Sequence, residues 1–244
     1  MIKLNNKAIS TLLCALLIAG FISCKNNNND PTEQDPCPCS DTCLLITDIN
    51  NPPVITKPTC IKFDDAITNV PEKLYGACPG APGNITGICG KNIDTIGYNA
   101  FSDNIIMSLC LPNIKHIGNF AFHNNKLTTL DLKSVEYIAG CAFQLNQLLT
   151  LNLQNIRYIG QSAFAVNQLT TINLGNVEYI GETAFGSNPD LIEVYIYTNP
   201  VLLELGTKIF IGNDNIIKIY IKEEKFKSAM EEKFKDCNVV VKVL

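Results

Sequence analysis

From about Asn92 the chain repeats itself every 21 residues, and that period constrains its fold more than any other feature. The recurring phrase pairs Ile96-Gly97 with Ala100-Phe101, Ile117-Gly118 with Ala121-Phe122, Ile138-Ala139 with Ala142-Phe143, Ile159-Gly160 with Ala163-Phe164, and Ile180-Gly181 with Ala184-Phe185. A worn sixth copy, Leu205-Gly206 with Ile209-Phe210, follows after 25 residues, so four residues are inserted around Tyr197–Glu204. A unit this short cannot bury its apolar face alone. Equal copies therefore stack, each covering the next, into a solenoid that serves first as a scaffold for a surface.

Downstream of each phenylalanine the apolar residues follow the pattern L-x-x-L-x-L: Leu127, Leu130, Leu132, then Leu148, Leu151, Leu153, then Leu169, Ile172, Leu174. Alternation sends these side chains inward and their neighbours outward, as in a strand. The first copy supplies Ile106, Leu109 and Leu111. The last two supply Leu191, Val194, Ile196 and Ile216, Ile219, Ile221, and Ile85, Ile88 and Gly90 form a degenerate upstream copy. The expectation is six or seven strands in one parallel sheet, about 4.8 Å apart.

Three further columns emerge from the alignment. Asn104, Asn125, Asn146, Asn167, Asn188 and Asn213 each stand three residues after a phenylalanine, where a short amide satisfies backbone groups that strands leave over. Two residues before each isoleucine the charge alternates through Asp94, Lys115, Glu136, Arg157 and Glu178, which penalises a slipped stack. The next column, Thr95, His116, Tyr137, Tyr158 and Tyr179, ends in three tyrosines. Ring-on-ring packing explains that ladder, and glycan binding by its face is the alternative.

These phrases resemble the BspA-like leucine-rich-repeat family of bacterial surface proteins, over about residues 84–244. The position where many leucine-rich repeats carry an inward asparagine is aliphatic here (Ile114, Val135, Ile156, Val177), as the family's pattern allows. The resemblance implies an exported protein, often lipid- or wall-anchored, associated with adhesion to host matrix proteins or other cells. It also implies a helix-strand cap over residues 223–244, with Phe226, Met230 and Phe234 on one helical face and Val239–Leu244 as a strand.

The N-terminus reads as an export signal over residues 1–23. Lys3 and Lys7 precede an apolar stretch, Ala8 to Ile22, that is shorter than the roughly 20 residues of a spanning helix. Phe21-Ile22-Ser23-Cys24 resembles a bacterial lipobox and makes Cys24 the expected lipid-attachment site, acyl chains holding the protein on the membrane. Residues 24–36 form a polar tether, 37–83 a cysteine-rich N-terminal region, and 84–222 the repeats. Lys25 beside Cys24 points to outer-membrane sorting, and the expected location is the cell surface.

The chain carries a net charge of −4, and losing Lys3 and Lys7 with no acid leaves −6. That balance argues against nucleic-acid binding, which needs clustered cations.

The chain has eleven cysteines. In an exported protein, the cluster between Cys37 and Cys78 reads as disulfide stapling of a region with little core, with a metal site at Cys37, Cys39 and Cys43 as the minor alternative. Cys89 and Cys110 fall in one outward column on adjacent strands, close enough to pair.

Outward positions of the sheet form two polar columns. One is Ser108, Thr129, Thr150, Thr171 and Glu193; the other is Cys110, Asp131, Asn152, Asn173 and Tyr195. They are the expected ligand face, suited to hydrogen bonding with a peptide or glycan, although exposed strand positions also favour Thr and Asn for ladder reasons. No phosphate loop, nucleophile elbow or zinc motif is present, and His116 and His123 have no partner at a catalytic spacing. The expectation is a protein without enzymatic activity or cofactor that binds a host or microbial protein. The alternatives are a glycan-binding surface lipoprotein, or a periplasm-facing structural one.

Overall fold

A computed structural model of the protein describes residues 43–57, 59–76, 83–131 and 133–244. The signal-like segment, Cys24, the tether, Cys37, Cys39, Cys78 and Leu132 lie outside the described residues.

The chain winds as a stack of coils with two strand-bearing faces. The first strand of each coil is long and the second very short. The long strands are β1 (Leu44–Ile46), β2 (Thr59–Phe63), β4 (Ile85–Cys89), β6 (Ser108–Cys110), β9 (Thr150–Asn152), β11 (Thr171–Asn173), β13 (Glu193–Tyr195), β15 (Ile217–Ile221) and β16 (Val239–Val243). The short strands are β3 (Asn69–Val70), β5 (Thr95–Ile96), β7 (His116–Ile117), β8 (Tyr137–Ile138), β10 (Tyr158–Ile159), β12 (Tyr179–Ile180) and β14 (Glu204–Leu205). All pairings are parallel, and the partners inside the regular repeats are 21 residues apart, as in Tyr158↔Tyr179 and Ile172↔Leu151.

The expected single sheet is divided. The short-strand sheet is continuous over seven strands, but the long strands form one sheet of order β1-β2-β4-β6 and another of order β16-β15-β13-β11-β9. The interruption falls on the coil of Thr129, Leu130 and Asp131, where Leu130 is only partly buried, whereas Leu151, Ile172 and Val194 are sealed. The stack also begins upstream of residue 84, because β1, β2 and β3 already belong to the two faces. In the last repeat Ile217, not Ile216, joins Ile219 and Ile221 inside, and Ile216 stands exposed.

Between the faces runs one continuous apolar core. Phe101, Phe122, Phe143, Phe164, Phe185 and Phe210 stack in a column with ring centroids 5.3–6.0 Å apart. Offset stacking of this kind adds to their burial. Phe234 extends the column by one ring at 6.2 Å. It does so from just beyond α1 (Lys227–Lys233), whose Met230 is fully buried, so the cap continues the core.

The turn holding each phenylalanine has a hydrogen-bond polarity opposite to that of the strands. In the short-strand sheet the N–H of a later coil donates backward, as Gly118 does to the Ile96 carbonyl at 2.8 Å. In the turn it donates forward: Phe122 to Ala142 at 2.8 Å, Phe143 to Ala163 at 2.8 Å, Phe164 to Ala184 at 2.9 Å. Two left-handed residues frame each reversal. They are Phe120 and Asn124 around Phe122, Cys141 and Leu145 around Phe143, and Ser162 and Val166 around Phe164. Such conformations cost non-glycine residues about 1–2 kcal/mol each. They persist because they turn successive peptide planes into bonds with the next coil.

Candidate recognition faces

The asparagine column is internal. Asn125, Asn146, Asn167 and Asn188 each accept the backbone N–H of a residue 19 positions earlier, at 3.0–3.1 Å, and each donates to the carbonyl of the preceding coil's phenylalanine. Asn104 and Asn213 do the same with altered partners, Asn104 donating to the Tyr75 carbonyl and Asn213 accepting from Asn188 N–H. These amides are buried or nearly so and fully engaged, which makes the column a spine and removes it from ligand contact.

The short-strand face carries the charges and the tyrosines. Tyr137, Tyr158 and Tyr179 stack at 4.4 and 4.6 Å with planes within 8°. His116 tilts against Tyr137 at 6.3 Å. The facing sides of these rings are thus occupied by one another, Tyr158 being covered on both. Burial, then the neighbouring Tyr137, holds the Tyr158 phenol above its usual range. In the charge column Arg157 pairs with Glu178, its Nε at 3.0 Å and a terminal nitrogen at 2.6 Å both donating to the one oxygen Oε1. Among the described residues this is the one ion pair the column closes. Lys115, Glu136 and Arg157 instead border a shallow open hollow with Ser134 and Asn155.

The long-strand face presents the polar columns as expected, in register: Thr150↔Thr171↔Glu193 and Asn152↔Asn173↔Tyr195. Ser108 and Cys110 lie on β6, and Thr129 and Asp131 on the coil between the two long-strand sheets, where Asp131 meets Lys133 at 3.2 Å. Among the described residues the Thr150 and Thr171 hydroxyls and the Asn152 amide engage no protein group, and Asn173 only accepts Gly175 N–H at 3.3 Å.

The C-terminal end of this face holds a cluster of which the sequence columns contain Glu193 and Tyr195 but not Tyr220. The Tyr195 and Tyr220 rings stack at 4.8 Å, and both phenols donate to the Glu193 carboxylate, at 3.2 and 3.3 Å. Burial first, and the Glu193 charge second, raise both phenol pKa values. Beside them Lys222 sits over the Tyr197 ring at 4.2 Å. Tyr220 was recoverable from the 25-residue spacing that places it opposite Tyr195.

Cys89 and Cys110 are register partners on β4 and β6, and both are disulfide-bonded. Cys43 joins Cys60 with a Cα separation of 4.7 Å, so Cys43 belongs to a staple and not to a metal set. Cys141 and Cys237 are free thiols. His123 stacks edge-on against Phe120, and burial lowers its pKa although Asp103 acts the other way. Among the described residues no helix is long and apolar enough to cross a membrane.

Stacked parallel coils with leucine-patterned long strands, an asparagine spine and an end cap define a leucine-rich-repeat solenoid. The model of the BspA type leucine rich repeat region matches in six copies over residues 68–192 and 175–243, and the chain belongs to that family. Comparison with curated proteins returns no match. Membership makes the molecule a repeat scaffold of a kind that mediates protein interaction.

Proposed function

We propose that this protein is a lipid-anchored recognition module of the bacterial cell surface, non-enzymatic, binding a host or microbial protein through its long-strand face. The observation that supports this most is the contrast between two sets of side chains. The asparagine spine uses every amide internally, whereas Thr150, Asn152 and Thr171 present hydrogen-bonding groups that the fold does not need. Ser108, Thr129, Asp131, Asn173 and Tyr195 extend the same surface.

Its size limits its strength. The five coils from Ser108–Cys110 to Glu193–Tyr195, at about 4.8 Å spacing and about 10 Å of three-residue strand, give about 240 Å², against about 800 Å² per partner in a stable interface. Single-site binding is therefore weak. Many copies tethered through Cys24 on one membrane raise the effective affinity by avidity.

Protease treatment of intact cells, with antibody detection of wild type and Cys24→Ala, tests the reading. Degradation of the wild type on intact cells supports a surface role. Protection until lysis moves the protein to the periplasm and ends the adhesion reading. Release of the Cys24→Ala protein from the membrane fraction, with the wild type retained, tests the anchor separately.

A further inference from the structure

We propose that the long-strand face contains a saccharide subsite, with Tyr195 as its wall and Thr150, Asn152, Thr171 and Asn173 as its floor. The inference is independent of which protein the face takes, and it places sugar recognition away from the Tyr137–Tyr158–Tyr179 ladder.

The wall is built and fixed. Tyr195 and Tyr220 stack face to face within 15° of parallel, and Glu193 ties both phenols. Because the two rings face each other along the solenoid axis, one face of Tyr195 is covered by Tyr220. Its other face looks back along the stack, over the strand that carries Thr171 and Asn173. Those residues and their neighbours Thr150 and Asn152 are small, so the ring rises at the end of a low floor. A hexose stacks its apolar C–H face on such a ring and directs its hydroxyls sideways and down.

The floor's chemistry selects a sugar over a cationic side chain. Two hydroxyls, one whole amide and the Asn173 Nδ2 offer donors and acceptors together. A guanidinium or ammonium only donates and leaves the floor's donors unmatched. Sugar hydroxyls both give and accept. The charged groups bordering the floor are Glu193 at one end, whose oxygens already take the two phenols and whose register partner on the far side is Lys218, and Asp131 at the other, paired with Lys133. A carboxylate here accepts further hydroxyl donors and repels an acidic ligand. The complement is therefore a neutral hexose or N-acetylhexosamine unit.

The ladder on the opposite sheet lacks this arrangement. Tyr158 has a ring on each side, at 4.4 and 4.6 Å, so it exposes edges and no free face, and the outer side of Tyr179 meets Glu204 of β14 in place of a floor of small residues.

Saturation-transfer NMR on the folded chain, with glucose, galactose, mannose and N-acetylglucosamine as separate millimolar probes, tests the proposal. Transfer from protein to the ring protons of at least one probe is expected, weakened tenfold or more by Tyr195→Ala and by Asn152→Ala/Asn173→Ala. Tyr195→Phe keeps the stacking face and is expected to stay within about threefold of wild type, which separates loss of the wall from loss of the fold. Transfer to none of the four probes overturns the proposal. So does transfer that Tyr195→Ala leaves intact and Tyr158→Ala abolishes, or binding of N-acetylarginine amide in place of every sugar. Retained sugar binding with no protein partner on the cell surface separates this inference from the adhesion reading.

Discussion

Asn167 Oδ1 accepts the backbone N–H of Leu148 at 3.0 Å, and the same amide donates to the carbonyl of Phe143 at 3.0 Å, so one side chain ties two coils. Removing it strands a buried donor and a buried acceptor. Each unsatisfied group costs about 1–3 kcal/mol, so Asn167→Ala is expected to lose about 2–4 kcal/mol, read as a lower urea midpoint. Asn152→Ala removes the same chemical group from the surface, and is expected to stay within about 0.5 kcal/mol of wild type. If the two substitutions cost the same, the asparagines do not form a load-carrying spine.

Gly160 illustrates a tighter constraint. A Cβ there would stand 2.4 Å from the Gly140 nitrogen and 2.6 Å from the Ala139 carbonyl carbon, both backbone atoms of the preceding coil. One coil already carries alanine at this position. Ala139 keeps the same backward hydrogen bond, its N–H reaching the Ile117 carbonyl at 2.9 Å as Gly118 reaches Ile96 at 2.8 Å. Gly160→Ala sets a second methyl directly against the coil that carries the first, where backbone must shift to admit it. A loss of about 1–3 kcal/mol is expected, as for overpacking generally, and thermal unfolding of the single variant measures it.

The period, the inward leucines, the phenylalanine column and the asparagine spine were legible in the sequence because each is a residue type repeated at one spacing. The tyrosine stack was legible for the same reason. The left-handed framing residues were not. Phe120, Cys141, Ser162 and Thr183 occupy one column with no shared chemistry, since the backbone reversal is imposed by stacking and tolerated by whichever side chain points outward.

The interruption at Thr129–Asp131 was also invisible, because its residues fit the strand pattern as well as those of the coils that do pair. Alternating charge gave the column, in which Arg157–Glu178 is formed and Lys115 lies beside the hollow. Exposed side chains this long gain too little from pairing to be held. Glu193 and Tyr195 stood in the outward columns, but their joining to Tyr220 escaped because it crosses the irregular 25-residue interval.

His123 gives the stack an acid sensitivity. Burial lowers its folded pKa below the unfolded value of about 6.5, so the fold favours the neutral ring. That contribution is fully present above the unfolded pKa and is lost as the pH falls through it toward the folded value. The urea midpoint of wild type is expected to fall between pH 7.5 and pH 5 more steeply than that of His123→Gln. Parallel curves for the two proteins would remove His123 as the cause.

The Cys43–Cys60 bond closes an interval of 17 residues and fastens the first coil at the end of the stack. A loop of about 15 residues is worth roughly 3 kcal/mol by chain entropy. In a solenoid, where each coil contacts only its neighbours, that loss stays local. Cys43→Ser/Cys60→Ser is therefore expected to speed hydrogen exchange in β1 and β2 while leaving β10 and β12 unchanged. Uniform acceleration along the chain would mean that the stack unfolds as one unit. Non-reducing peptide mapping of the wild type completes the test. It is expected to recover the Cys43–Cys60 peptide and to identify the disulfide partners of Cys89 and Cys110, deciding whether those register neighbours are joined to each other. Cys141 and Cys237 are expected to alkylate slowly at neutral pH, since burial raises both thiols and keeps them protonated.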